Sequence, residues 1–347
     1  MKRASILLIY TGGTIGMKTD AATGTLVPFD FNGIYEEFPS LRRLAVDIEV
    51  SQFRPIDSSN VTPELWVRLA ELIRDNYARH DGFVVLHGTD TMSYSASALS
   101  FMLENLCKPV VFTGSQIPIG VLRTDGRENL ITAIEIAAAR DAAGRALVPE
   151  VSLYFQNRLF RANRSSKRSA EELNAFRSEN YPPLAEVGVS IHYNMPFIRK
   201  AENPCDTLSI STELDAGVAI VKIFPGLSEP IFRAMLSIPG VKAIVLETYG
   251  AGNAPTEEWF LSALREVIAR GVIVVNVTQC SGGSVSMDLY ETGMGLRNAG
   301  VVSGHDLTTE AAVTKLMYVL GRKKSREETL DMLKQPIKGE ISGEQFF

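Results

Sequence analysis

At 347 residues the chain is long enough to bury a sizeable core and, at about 150 residues per domain, to form two domains. Apolar residues make up 45% and charged residues 22%, with a net charge of −5 from interspersed signs, which excludes global disorder and offers no cationic footprint for nucleic acid. No aliphatic run approaches the ~20 residues that cross a bilayer, so no membrane partner is expected.

Lys2-Arg3 precedes only a short apolar run and leads straight into Thr11-Gly12-Gly13, which is not a cleavage site. The three cysteines, Cys107, Cys205 and Cys280, are odd in number and widely spaced, fitting neither a disulfide framework nor a CxxC pair. Both readings point to the cytoplasm. The four histidines are dispersed without zinc spacing, so no metal and no other cofactor is expected.

In chain order, β-branched or apolar runs at 6–10, 46–53, 83–87, 110–113 and 151–155 alternate with amphipathic segments. This is the pattern of crossover units on a parallel sheet. Thr62-Pro63-Glu64 opens a helix whose Trp66, Leu69, Ala70, Ile73 and Tyr77 recur at helical period. Further helices are expected over 93–106 and 127–140. The pattern lapses around Met195-Pro196, Glu202-Asn203-Pro204 and the polar run 207–215, then resumes with strands at 218–223, 243–246 and 272–275 and helices near 229–236 and 256–269. The charged tail, 323–328 with Lys338 and Glu340, reads as a solvated helix face and a loose terminus. The expected fold is α/β: a larger N-terminal, mainly parallel-sheet domain with helices on both faces (1–195), a linker (196–216) and a smaller C-terminal α/β domain (217–347).

Ligands of open parallel sheets bind beyond the carboxyl ends of the strands. After the first strand, Gly12-Gly13 permits close backbone approach and presents Thr14 beside N–H groups able to hold an oxyanion; an unoccupied glycine turn is the competing reading. After the third, Gly88 gives access to Thr89 and Asp90, although Asp90 or Thr91 is equally placed to cap the following helix. His87 reads as a hydrogen-bonded core residue. A threonine nucleophile needs a base, and Lys167, between Arg164 and Arg168, is a candidate in what is otherwise a solvated basic loop. Asp57-Ser58-Ser59-Asn60 can bind an amino acid's carboxylate and ammonium or be an ordinary turn before Thr62. Neither GxSxG, nor GxxxxGK[ST], nor GxGxxG occurs.

Leu8-Ile9-Tyr10-Thr11-Gly12-Gly13-Thr14-Ile15-Gly16 and Gly82-Phe83-Val84-Val85-Leu86-His87-Gly88-Thr89-Asp90-Thr91-Met92 resemble the two signatures of the asparaginase/glutaminase family. The resemblance, closest to the bacterial cytoplasmic type I L-asparaginases, continues through Thr113-Gly114-Ser115-Gln116-Ile117-Pro118, Arg123-Thr124-Asp125-Gly126-Arg127-Glu128-Asn129-Leu130, Asn157-Arg158-Leu159-Phe160-Arg161 and Tyr249-Gly250-Ala251-Gly252-Asn253-Ala254-Pro255. It implies hydrolysis of L-asparagine to L-aspartate and ammonia through an acyl-enzyme on Thr14. Thr89, Asp90 and Lys167 would form a second hydroxyl, acid and base set. Substrate binding would fall to Gly13, Ser58, Ser59, Gly88, Ser115 and Asn253, the last from a neighbouring subunit of a homodimer or homotetramer.

Three departures from the family pattern stand out. Gly24-Thr25-Leu26-Val27-Pro28 lacks the family's mobile-loop tyrosine, with Thr25 the substitute suggested by position. Ser59 replaces a glutamine of the periplasmic enzymes. Glu247 replaces an arginine of a regulatory asparagine site that includes Cys280, so this regulation is expected to be absent or altered. Competing activities are glutamine hydrolysis, as in a glutaminase or a tRNA-dependent amidotransferase subunit, and a catalytically silent amino-acid sensor. A nicotinamide oxidoreductase would share only the fold class.

Overall fold

The computed structural model describes residues 3–19, 23–201, 207–287 and 291–342. Cys205 and the Glu202-Asn203-Pro204 stretch of the expected linker lie outside them. The chain divides into two compact units, 1–212 and 213–347.

The first unit is built on an eight-stranded sheet. Its parallel part comprises β1 (Ala4–Gly12), β2 (Val46–Ile56), β3 (Gly82–Leu86), β4 (Val110–Thr113) and β5 (Val151–Phe155), in the order β2-β1-β3-β4-β5. β6 (Arg158–Arg161) turns back antiparallel on β5, and β9 (Ala185–Val187) and β10 (Ile191–Tyr193) extend that edge. Between them in sequence, β7 (Ser166–Lys167) pairs with β8 (Phe176–Arg177) outside the main sheet. β3, β4 and β5 are buried on both faces, which is why they are mostly apolar, with Ser152 and Thr113 the buried polar exceptions. β2 is an edge strand with alternating exposure, so it accommodates Pro55 near its end.

Helices cover both faces. Alternation along β1 sends Ile6, Leu8 and Tyr10 into one core with Leu130, Ala133, Ile134 and Ala137 of α3 (Gly126–Ala138). On the other side Phe83 stacks on Tyr77, which follows α1 (Pro63–Asn76), and Trp66 of that helix bonds Ser95 of α2 (Met92–Met102).

The second unit holds a four-stranded parallel sheet, β11 (Val218–Lys222), β12 (Ala243–Thr248), β13 (Ile273–Thr278) and β14 (Val302–Ser303), in sequential order. Its core joins Ile244, Leu246 and Val274 to Phe232 of α4 (Glu229–Leu236) and to Phe260, Leu264 and Val267 of α5 (Glu258–Ala269).

Two expectations are corrected. The tail is not uniformly solvated. α7 (Arg326–Lys334) begins with a Ser325/Glu328 capping box, and beyond it Glu340 is fully buried against Lys315 of α6 (Thr309–Gly321) at 2.7 Å. Lys315 Nζ also donates to the carbonyls of Leu333 and Gln335, while Glu340 accepts from the backbone N–H groups of Ile337 and Lys338, so both charges are compensated. The attraction of Lys315 and these backbone donors hold the Glu340 carboxyl below its ordinary range despite its burial. The second correction concerns the cysteines: Cys280 is free and exposed, whereas Cys107 is disulfide-bonded. That bond weakens the cysteine argument for a reducing compartment. Among the described residues no helix is long and apolar enough to cross a membrane.

Candidate active site

The strand order reverses at β1, whose onward connection runs to β2 on one side while β3 lies on the other. Crevices at such reversals, beyond the carboxyl ends of the strands, are where ligands bind in open α/β sheets. A cavity of about 560 Å³ lies there, lined by Tyr10, Gly13, Thr14, Asp57, Ser58, Gly88, Thr89, Asp90, Gln116 and Lys167 among others.

The backbone sets its shape. Gly13 has φ +89°, and a side chain there would bring its Cβ within 2.4 Å of Gly88 Cα. A Cβ on Gly88 would in turn stand 2.6 Å from the Ser58 side chain. Gly13 therefore meets Gly88 backbone to backbone and Gly88 packs against the Ser58 side chain, a closeness that only glycine allows at these two positions. Thr14 follows immediately and is exposed.

Lys167 Nζ donates to Thr89 Oγ1 at 2.8 Å and to Asp90 Oδ1 at 2.6 Å. The lysine side chain is 16% exposed and the aspartate 65%, so the pair sits at the cavity wall rather than in the core. Lys167 is held from behind: it pairs with Phe176, whose buried ring packs 4.9 Å from Phe155 at the end of β5. Thr91 precedes α2 but makes no side-chain cap; its hydroxyl donates to the Ser58 carbonyl at 2.7 Å, and Asp90 is taken by Lys167. The capping alternative for this cluster is not what the side chains do.

His87 is fully buried. Its Nδ1 lies 2.7 Å from the Gly88 carbonyl and its Nε2 2.9 Å from Ser95 Oγ, which itself accepts from Trp66 Nε1. With a carbonyl as one partner, the neutral ring carries its proton on Nδ1. Burial pushes its pKa down to about 4, so it stays uncharged at neutral pH.

The remaining named residues divide. Ser58 is buried and lines the cavity, whereas Ser59 is exposed and donates to Asp57 Oδ1 at 2.7 Å. Those contacts from Ser59 lower the Asp57 carboxyl below its ordinary range. Ser115 is buried with its hydroxyl unpartnered, and its neighbour Gln116 is the residue that reaches the cavity. Thr25 is exposed and bonds Thr23. Asn253 belongs to the second unit, where it closes a turn on Tyr249. In that unit too, Glu247 at the end of β12 accepts from Thr309 Oγ1 at 2.6 Å and lies 3.5 Å from Lys222 Nζ.

Sequence reasoning missed Gln116 and Tyr10 as cavity walls, whereas Asp57 stood in the turn already named as a candidate for binding an amino acid. Gln116 stood in the quoted Thr113–Pro118 stretch, and the later stretch explains its placement. Asp125 accepts from the backbone N–H groups of Gln116 and Ile117 at 3.0 Å each, and Asn129 Nδ2 donates to the Gly114 carbonyl at 2.9 Å. No group of three or more metal-ligating side chains occurs among the described residues.

Comparison with protein families finds a match in each of the two units. The model "Asparaginase, N-terminal" matches residues 5–199, and the "Glutaminase/Asparaginase C-terminal domain" matches 217–333. The chain belongs to the asparaginase family. L-asparaginase 1 of Escherichia coli is 43% identical over 345 residues, 99% of either chain. The crystal structure of L-asparaginase I from Vibrio cholerae aligns with TM-score 0.88 at 41% identity, covering 98% of this chain and 99% of that one. The 60 kDa lysophospholipase of Mus musculus is 41% identical over 97% of this asparaginase-family chain, which spans 62% of that protein.

Proposed function

We propose that this chain is an L-asparaginase, hydrolysing the side-chain amide of L-asparagine to L-aspartate and ammonia. The observation that carries the reading is Lys167 bridging Thr89 and Asp90 on the wall of a cavity that Thr14 also lines. Its volume of about 560 Å³ suits a small amino acid with water, within the 300–1,000 Å³ of ordinary ligand pockets.

Thr14 Oγ attacks the amide carbon, forming the C–O bond. Collapse of the tetrahedral intermediate expels ammonia, which takes up a proton as the C–N bond breaks. Backbone N–H groups near Thr14 and Thr89 hold the oxyanion. Water then attacks the ester, Thr14 recovers its proton and aspartate leaves, so one water is consumed for each amide. Thr89, Lys167 and Asp90 manage the protons of these steps, since a free threonine is a poor nucleophile at neutral pH. Gly13 and Gly88 keep the backbone close to the reacting carbon, and Ser58 and Asp90 take the substrate's carboxylate and ammonium.

Ser59, Ser115 and Asn253 contribute around this pocket, Asn253 from a neighbouring subunit of a homodimer or homotetramer. The domain plan of 1–195 and 217–347 around a linker and cytoplasmic residence belong to the same proposal. No cofactor is required. Ammonia release from asparagine that disappears in Thr14→Ala supports the reading; full turnover by that variant removes Thr14 from the nucleophile's role.

A further inference from the structure

We propose that Gln116 is a positioning residue for the amide hydrolysis, fixing the direction in which the Thr89 hydroxyl donates; this rests on the L-asparaginase reading. Gln116 Nε2 faces the carbonyls of Ala170 and Glu172 at 3.3 and 3.2 Å. Carbonyls only accept, so the amide NH2 must lie on that side and Oε1 must face Thr89. A flipped amide would set Oε1 against both carbonyl oxygens.

Thr89 Oγ1 lies 3.1 Å from Gln116 Oε1, and this contact can form only with the hydroxyl as donor. On its other side the same oxygen accepts from Lys167 Nζ at 2.8 Å. The proton order therefore runs from the lysine ammonium to the threonine oxygen and from the threonine hydroxyl to the glutamine carbonyl. One lone pair of Thr89 Oγ1 is left uncommitted, on a residue that lines the cavity. That makes it an acceptor for a hydrogen of the substrate amide or of the hydrolytic water.

The glutamine is itself rigidly placed. Its backbone N–H is clamped by the buried Asp125 carboxylate, and the Thr124 hydroxyl closes the same loop on the Ile117 carbonyl at 3.0 Å. Such support is what holds a reacting group to its productive geometry. Without the acceptor on residue 116, the Thr89 hydroxyl is free to rotate, and its proton competes for the position the substrate hydrogen should take.

The test is Gln116→Met, which keeps length and removes the acceptor, with Gln116→Leu as the second variant should the first not fold; thermal unfolding checks the fold. Steady-state ammonia release should show kcat lowered about tenfold and KM for asparagine changed less than about twofold, because the lost effect acts through Thr89 rather than on ground-state binding. Measured by single turnover in a Thr89→Val background, the same substitution should have no further effect, since its target hydroxyl is gone. An unchanged kcat, a rise in KM matching the loss, or an equal loss in the Thr89→Val background would overturn the proposal. Absence of asparagine turnover by the unaltered protein is a separate result, which removes the L-asparaginase reading and this inference with it.

Discussion

His87 offers a sharp quantitative test, because it separates a structural role from a catalytic one inside a signature sequence. In the native state burial lowers its pKa to about 4, against 6.5 for the exposed side chain. Below pH 6.5 the unfolded chain therefore binds a proton that the native state refuses. The stability this group contributes is complete above pH 6.5 and is lost as pH falls toward 4. At 1.36 kcal/mol per pKa unit, the difference amounts to roughly 3 kcal/mol over that interval. The substitution His87→Gln keeps a partner for Ser95 and removes the titration. The chain has two tryptophans, Trp66 in the first unit and Trp259 in the second, so a Trp259→Phe background makes Trp66 the sole indole fluorophore. Trp66 also bonds the same Ser95 as His87 does, so it senses the right transition. Urea unfolding at steps from pH 7 to 4 should give a steeper fall in stability for the protein that keeps His87 than for the His87→Gln variant, by roughly 3 kcal/mol in total. Amidase activity at pH 7 should survive in whatever fraction of the variant is folded. Parallel pH slopes for the two proteins would refute the argument, and a folded but inactive variant would contradict the core role assigned to His87.

Lys315→Met leaves the Glu340 carboxylate buried without its counter-charge and should destabilise the second unit by about 3–5 kcal/mol, read from Trp259 fluorescence. Adding Glu340→Gln should recover part of that loss, whereas a single-variant cost under about 1 kcal/mol would show that the buried pair is unimportant. If Asn253 completes the pocket from another subunit, sedimentation velocity at assay concentrations should show a dimer or tetramer, and a fully active monomer would take Asn253 out of the site.

The parallel sheet was legible because β3, β4 and β5 are buried on both faces and so stand out as mostly apolar, β-branched or aromatic segments. The antiparallel edge was not: β9 and β10 are three-residue strands with mixed exposure, and nothing in their composition distinguishes them from loop. The signatures revealed where the chain approaches itself, since a Cβ on Gly13 would meet the Gly88 backbone and one on Gly88 would meet the Ser58 side chain. Alternation along a loop is harder to read than along a strand, and Ser115 and Gln116 show why. They are adjacent and both polar, yet one is buried behind the cavity and the other faces Thr89, a choice made by Asp125 gripping the loop backbone. Charge at a chain end normally signals solvent, which concealed Glu340. Its partner Lys315 is 25 residues away and meets it only through the packing of α6 and α7.

The most direct measurement is ammonia release by the purified protein over concentration series of L-asparagine and, separately, L-glutamine, with Thr14→Ala as control. One methylene in an apolar pocket is worth only about 1–3 kcal/mol, so the ratio of the two substrates also reports how closely the cavity fits the shorter side chain. Saturable turnover of asparagine, faster than that of glutamine and abolished in Thr14→Ala, is the predicted result. No ammonia from asparagine, or equal turnover by Thr14→Ala, would contradict the account.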